Sequence, residues 1–498
     1  MRRVLLINWD NYPHFATGGV YTWVKSLVDN AKDWEFVVFN QLSNANANSK
    51  YRVPSNVETV IGLPVFGTHR IEEYYPGNGP MLDRILRTTT NVIHREFLPL
   101  YGAFLSGVLA DECDPKSLAK TVHELHRFLV VHDPKKCFEN GKTWDTFLGH
   151  VKDDPLYRDM NLSDALLNFQ VIQRSMQVLS VRLPKVDIIH SSLAWLPALA
   201  GVSAKIQNHC PFVITEHGVA FRELLLYYNM FMRDEMSKLF WTNFTRNVIH
   251  TIYDSADLII PVCNANKVWE TKLGADDSKI RVIYNGVDTQ RFRPMEVPRD
   301  GRGPTIVSVA RVSVFKDIIG LIQATNYVRQ EVPTVRTLVY GDATEQEYLA
   351  RCSSMVRRLD LQDNFFFMGG TNEPEKAYAR ADVVAFSSIT EAFPFAVIEA
   401  MACGKAVVAT DVGGVREALE GCGLLVRSRS PNELARAIVR LLNDEKLRSR
   451  LQEAAFLRAR DQFRIEESVR QYLAIYEELT APARGEPPTR ETPVLVSR

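Results

Sequence analysis

Two carboxylates stand eight residues apart in the stretch Glu391-Ala-Phe-Pro-Phe-Ala-Val-Ile-Glu399, which runs on into Ala400-Met401-Ala402-Cys403-Gly404. The first half reads as a loop and the second as a short helix closed by a glycine. A loop carboxylate reaches a ligand from the side. A helix start turns its free N–H groups toward the same ligand, and such donors attract anions such as phosphate. Each carboxylate oxygen accepts from a sugar hydroxyl. A site with both devices suits a ligand that is part diphosphate and part sugar. Taken alone, the stretch reads equally well as a surface loop with two solvated acids.

A second segment adds cations. Thr305–Ala310 reads as a strand, and Arg311 and Lys316 follow it before Ile318-Ile319 opens a helix. Parallel α/β sheets bind ligands just past the carboxyl ends of their strands. Arg forks onto a phosphate, and Lys supplies a compact charge. An isolated Arg-x4-Lys pair marks a solvated turn as readily, but joined to the double-Glu stretch it is specific. Near the start of the chain, Gly18-Gly19 stands between a strand and a helix, where missing side chains let backbone approach a ligand. Ordinary turn chemistry explains that pair as well. Thr215-Glu216-His217-Gly218 also follows a strand, and His217 either meets a ligand or satisfies its own loop.

Together these residues resemble retaining glycosyltransferases of the glycogen synthase-like superfamily (family 4 type). The resemblance covers about 1–30 and 185–475, with Asn285-Gly286-Val287-Asp288 and Asp411-Val412-Gly413-Gly414 as further shared motifs. It implies an α/β GT-B fold, two Rossmann-like domains facing a central cleft. It implies that Arg311 and Lys316 hold the donor diphosphate, that Glu391 holds the donor sugar and that Glu399 binds the ribose, with Arg311, Lys316 and Glu391 as the catalytic set. Gly18, Gly19, Ser192, His217, Arg222, Gly341, Phe393, Pro394, Phe395 and Ala396 would complete substrate binding with Glu399. Phe393 and Phe395 would either stack near the sugar or anchor the loop. Gly18–Val24, Phe221-Arg222-Glu223, Tyr340-Gly341-Asp342, Glu347-Tyr348, Cys352 and Pro394 look like the Pel-polysaccharide glycosyltransferase subfamily. One departure matters. Many relatives carry His-x-His where this chain has His190-Ser-Ser192, which puts the role of the second His in doubt here.

The implied activity is transfer of a hexosyl group from a nucleotide-diphosphate sugar, of the UDP type, to a saccharide or other hydroxyl acceptor, as in exopolysaccharide or glycan synthesis. No metal or other cofactor is expected. A non-catalytic nucleotide-binding subunit of a polysaccharide assembly and a GT-B disaccharide synthase or phosphorylase are the alternatives. The four residues Arg311, Lys316, Glu391 and Glu399 argue against a scaffold, which would need none of them.

The remaining chain must position these groups. Strands are expected at Val4–Asn8, Glu35–Asn40, Val186–His190, Phe212–Thr215, Leu258–Val262 and Ile280–Tyr284, with a helix over Val20–Asn30. Helical stretches around 81–110, 115–131 and 164–183 break the βα rhythm and read as an insertion over about 70–183. A long amphipathic segment from Arg222 to Tyr253 follows. Its aromatics Tyr227, Tyr228, Phe231, Phe240, Trp241 and Phe244 suit a sugar-stacking platform or a packed helix face, the latter favoured by spacing. Prolines and glycines cluster over Asp288–Pro304, as in a linker. Strands then alternate with helices at Thr305–Ala310, Arg336–Tyr340, Phe365–Met368, Val383–Phe386, Ala406–Thr410 and Gly423–Val426, which argues for a second parallel sheet. The expected division is a first domain over 1–293, a donor domain over 300–463, a helix over 464–479 crossing back, and a disordered tail over 480–498.

A chain of 498 residues exceeds one ordinary core. Its 59 basic and 59 acidic residues balance, which argues against a strong electrostatic bid for nucleic acid and leaves room only for a local basic groove. Seven scattered cysteines without a Cys-x-x-Cys pair suit a reducing cytoplasm and supply no zinc framework. The start, Met1–Asn8, is too short in apolar residues for a secretion signal, so a cytoplasmic location is expected. A peripheral membrane or assembly partner remains compatible with all of this.

Overall fold

Short, almost uninterrupted runs of aliphatic residues build two sheets, each covered by helices on both faces. A parallel strand buried on both sides has no polar face, so its sequence does not alternate. Val4 to Ile7 and Val383 to Ala385 are fully buried examples. The computed structural model describes residues 1–14, 18–43, 45–46, 52–66, 75–298, 301–343 and 345–481.

The first sheet contains β1 (Arg2–Trp9), β2 (Trp34–Leu42), β3 (Val57–Pro64), β4 (Ile188–Ser191), β5 (Phe212–Glu216) and β6 (Leu258–Pro261) in the order β3-β2-β1-β4-β5-β6. The second contains β7 (Thr305–Val309), β8 (Arg336–Tyr340), β9 (Phe365–Gly369), β10 (Val383–Phe386), β11 (Val407–Thr410) and β12 (Leu424–Val426) in the order β12-β11-β10-β7-β8-β9. All pairings are parallel. The chain reverses its direction of travel between β1 and β4, and again between β7 and β10. Those switch points open a crevice at the strands' carboxyl ends. The Gly18-Gly19 turn lies after β1, Arg311 after β7 and Glu391 after β10.

Two segments join the halves side by side. Val287 and Arg464 form an isolated parallel bridge, with Val287 N donating to Phe463 O at 2.7 Å and Ile465 N donating to Val287 O at 3.0 Å. A Cβ on Gly286 would lie 2.4 Å from Ile465 Cα, so the crossing needs glycine there. The helix Ile465–Thr480 then packs on the first sheet, burying Val469, Tyr472, Ile475 and Tyr476 in one core with Val4, Leu6 and Trp23. Thr480, expected in the tail, is the last residue of this helix; residues 482–498 lie outside the described residues.

Several expected elements differ. β3 was not anticipated. Ile280–Tyr284 is no strand: only Ile280 bridges to Ile259 at the sheet edge, and Ile283 N donates to Pro261 O at 3.1 Å. The helical stretch over 81–110 is interrupted at Thr88-Thr89, and a helix over Gly141–Asp153 was missed. The segment from Arg222 to Tyr253 is two helices, Ala220–Phe231 and Glu235–Ser255, because Asp234 caps the second by accepting from Ser237 N. All seven cysteines are free thiols. Among the described residues no helix is long and apolar enough to cross a membrane.

Candidate active site

Between the two sheets lies a cavity of about 490 Å³. Its first-domain wall is Trp9, Leu193, Trp195, His217, Ala220, Glu223, Leu224 and Tyr227, from the ends of β1, β4 and β5 and the helix after β5. Its second-domain wall is Arg311, Ser313, Phe315, Lys316, Thr390, Glu391 and Ala392. Arg311 and Lys316, about 80 residues before Glu391, therefore share one space with it and with His217 of the first domain.

Lys316 ends a 3-10 turn over Val314–Lys316. Ser387 Oγ holds that turn by donating to the carbonyls of Lys316 at 2.8 Å and Asp317 at 2.9 Å, and Ile389 N donates to Phe315 O at 2.8 Å. These bonds stitch the loop after β10 to the loop after β7. Lys316 Nζ then meets Glu391 Oε1 at 2.5 Å, and Ser388 Oγ donates to the same oxygen at 2.6 Å. Arg311 is exposed to the cleft. Arg222 reaches across from the first domain and donates to Glu391 O at 3.0 Å. It thus grips the loop's main chain.

The loop that carries Glu391 rests on two glycines. Gly413 has φ +56°, and a Cβ there would lie 1.9 Å from Glu391 O. Gly414 N donates to Ala392 O at 2.6 Å. Phe393 is buried between Tyr284 and Phe463, with ring centroids 4.9 and 5.1 Å away, and its carbonyl accepts from Asn285 Nδ2 at 2.9 Å. It anchors the loop and does not line the cavity. Pro394 is the N-cap of the helix Phe395–Ala402 and offers no side-chain cap, so Ala396 lies in an uncapped first turn.

Phe395 takes the place a side chain would occupy at Gly19. A Cβ on Gly19 would lie 2.5 Å from Phe395 Cδ2. The glycine therefore admits an aromatic ring of the other domain, where the sequence suggested approach of a ligand. Gly18, with φ 106°, is the N-cap of the helix Gly19–Asn30 and has open space around its Cα. Residues 15–17 of the same loop lie outside the described residues.

Glu399 sits on the helix after Pro394 and accepts from Tyr378 OH at 3.1 Å. Crowding by protein pushes its carboxyl up to about 7, opposed by Tyr378 and by the charge of Arg291. A donor such as a ribose hydroxyl would favour its ionised form. His217 packs edge-on to Trp23 at 4.5 Å, and Trp23 packs on Tyr472 of the returning helix at 5.2 Å. Burial lowers His217 to about 3, against a raising influence from Asn285, so the imidazole is neutral near pH 7.

Two anticipated contacts are redirected. Ser192 is buried and its Oγ donates to Ile7 O at 3.2 Å, which commits the hydroxyl to β1. Gly341 does not line the cavity; a Cβ there would lie 2.1 Å from Ala310 O, so it serves the close packing of the turns after β7 and β8. Of the six aromatics on the helical segment, Tyr228, Phe240, Trp241 and Phe244 are core, whereas Tyr227 and Phe231 are each 50% exposed. Sequence reasoning missed Trp9, Trp195, Ser388 and Tyr378. Ser388, three residues before Glu391, was the one with a local signal.

The second half of the chain, residues 290–458, matches the family described as "Glycosyl transferases group 1", and residues 2–278 match "Domain of unknown function (DUF3492)". The chain is 28% identical over 251 residues to N-acetylgalactosamine-N,N'-diacetylbacillosaminyl-diphospho-undecaprenol 4-alpha-N-acetylgalactosaminyltransferase of Campylobacter jejuni, covering 49% of this chain and 66% of that protein, just under two thirds. Sucrose-phosphate synthase from Thermosynechococcus elongatus superposes with a TM-score of 0.63 at 20% identity, over 97% of this chain and 100% of that one. Anabaena HepE, solved in complex with UDP and glucose, superposes with a TM-score of 0.61 at 18% identity, over 96% and 100%. At such identities the structures speak for the fold, which is GT-B. The chain belongs to the DUF3492 family: residues 2–278 match that domain, residues 290–458 match the group 1 glycosyl transferase domain, and the two together take the GT-B fold.

Proposed function

We propose that this protein is a retaining transferase that moves a hexosyl group from a UDP-sugar to a hydroxyl acceptor, in the manner of the Pel-type enzymes of exopolysaccharide or glycan synthesis, on the cytoplasmic side of the cell. The observation that carries the reading is the convergence of Arg311, Lys316 and Glu391 on one wall of the interdomain cavity. By its name the glycosyltransferase relative adds a sugar to a diphospho-undecaprenol-linked saccharide, and HepE binds UDP and glucose by its title. The HepE complex agrees with a UDP-sugar donor, and the relative with a saccharide-bearing acceptor.

The reaction breaks the anomeric C–O bond to the diphosphate and forms a C–O bond to the acceptor oxygen. Charge develops on the leaving oxygen. Arg311, Lys316 and the uncapped helix start at Phe395-Ala396 would meet it with fixed donors, which need no reorganisation as the charge forms. Glu391 would hold the sugar hydroxyls, and Glu399 the ribose. The acceptor's proton passes to the departing diphosphate on the same face, so the configuration at the anomeric carbon is kept. Among the described residues no three His, Cys, Asp or Glu side chains are grouped as metal ligands. Arg311 and Lys316 are the side chains of this wall that would carry the diphosphate charge.

A panel of nucleotide sugars tests this reading. The UDP-sugar that is the donor raises the melting temperature by mass action and is slowly hydrolysed without acceptor. Binding of free UDP without hydrolysis or transfer of any sugar would favour a nucleotide-binding scaffold.

A further inference from the structure

The two walls of the cavity differ in kind. Its cations, Arg311 and Lys316, belong to the second domain. The first-domain wall carries three aromatic rings, Trp9, Trp195 and Tyr227, with Leu193, Leu224 and a single carboxylate, Glu223. The donor reading uses none of these.

Tyr227 is 50% exposed, and its ring is braced by Phe231 at 4.9 Å and by Tyr228 at 6.4 Å. Tyr228 is itself fixed through a 2.9 Å hydrogen bond with Thr245. Trp9 ends β1 and is partly exposed on the same cavity. Trp195 is 8% exposed and packs on Phe244, so it backs the wall. Glu223 is exposed beside them and lies over Gly218, where a Cβ would come within 2.3 Å of its Oε1. Its neighbour Arg222 is turned to the Glu391 carbonyl. Glu223 makes no direct ion pair among the described residues, and Arg222, Lys316 and Arg311 act on its charge from a greater distance.

Resting on the reading of the cleft as a nucleotide-sugar site, we propose that the acceptor is an uncharged pyranose, its apolar ring face laid on Trp9 and Tyr227 and its hydroxyls donating to Glu223. Rigid rings with few polar groups give a flat ligand area and orientation. A carboxylate only accepts, which suits hydroxyls. An anionic acceptor would meet Glu223 on its own wall, with Arg311 and Lys316 across the cavity committed to the donor diphosphate. An acyl chain would bury Glu223 without any donor, at a desolvation cost.

Initial rates with the accepted UDP-sugar, measured against neutral methyl pyranosides, the matching uronates and a short-chain diacylglycerol, test the assignment. A neutral pyranoside is expected to be the preferred acceptor. Tyr227→Ala and Glu223→Gln should each raise its KM roughly tenfold, with the donor KM moving far less, while Tyr227→Phe keeps the wild-type acceptor KM. A uronate or the diacylglycerol as preferred acceptor overturns the assignment, as does Tyr227→Ala with an unchanged acceptor KM. Either result leaves donor use intact. Failure of the underlying reading is separate, since it shows as no turnover of any nucleotide sugar, with or without acceptor.

Discussion

Lys316 Nζ lies 2.5 Å from Glu391 Oε1, and Ser388 Oγ donates to the same oxygen at 2.6 Å. The cation assigned to the donor phosphate and the carboxylate assigned to the donor sugar thus hold one another across two loops, one after β7 and one after β10. Each is set where the other needs it, and both face the same cavity.

Lys316→Ala should leave the fold intact, since the side chain is on a cleft loop held by main-chain bonds to Ser387 and Ile389. One lost charge-stabilising donor typically costs ~10²–10³ in rate. Turnover at saturating donor measures it, and a near-normal rate would remove Lys316 from the catalytic set.

Gly19→Ala should loosen the meeting of the domains. The new Cβ would press on the Phe395 ring from 2.5 Å. Overpacking costs about 1–3 kcal/mol, so the donor KM should rise roughly tenfold. Trimming the ring in the double variant Gly19→Ala/Phe395→Leu should recover most of it. Two independent, additive losses would show that the contact is not what limits closure.

Glu399→Gln should weaken free UDP by roughly tenfold, because a carboxylate on a ribose acts mainly through ground-state affinity. Tyr378→Phe should do the same more mildly, since Tyr378 OH donates to Glu399 at 3.1 Å. Glu391→Ala should spare UDP and impair sugar transfer. Calorimetry with UDP on the three variants separates the roles, and loss of UDP by Glu391→Ala alone would reverse them.

Stability should fall on the alkaline side. Glu270 is fully buried with both carboxyl oxygens unpartnered, and burial raises it from the ordinary 4.5 to about 9; Glu216 is raised to about 8. Both hold protons more tightly folded than unfolded. Their contribution is complete below the unfolded value near 4.5 and is lost as pH rises through 8 to 9. Glu270→Gln cannot ionise, so its Tm should drop less between about pH 5 and about pH 9 than that of the parent protein. Parallel melting curves for the two would show that Glu270 is not the group involved.

The double-Glu stretch, Arg311 and Lys316 were legible because local chemistry at strand ends carries its own pattern. The buried strands were legible for the same reason, as apolar runs between turns. β3 escaped because Glu58, Thr59 and Gly62 dilute its apolar residues at the sheet edge. The break at Asp234 escaped because the flanking apolar spacing is helical on both sides, although the aspartate is a good N-cap. The first-domain wall of the cavity was only partly legible. Tyr227 stood among the sugar-stacking candidates, but Trp9 and Trp195 come from other elements, and only the folded sheet order brings the three together. Gly19 illustrates the limit from the other side: its need for space was readable, but the occupant, Phe395, lies in the other domain.

The central claim is metal-independent, retaining sugar transfer at the Arg311–Lys316–Glu391 wall, and proton NMR of the earliest product formed in the presence of EDTA tests it most directly. The account predicts undiminished turnover in chelator and a product with the anomeric coupling of the donor. An inverted product, or activity lost in EDTA and restored by magnesium, would contradict it.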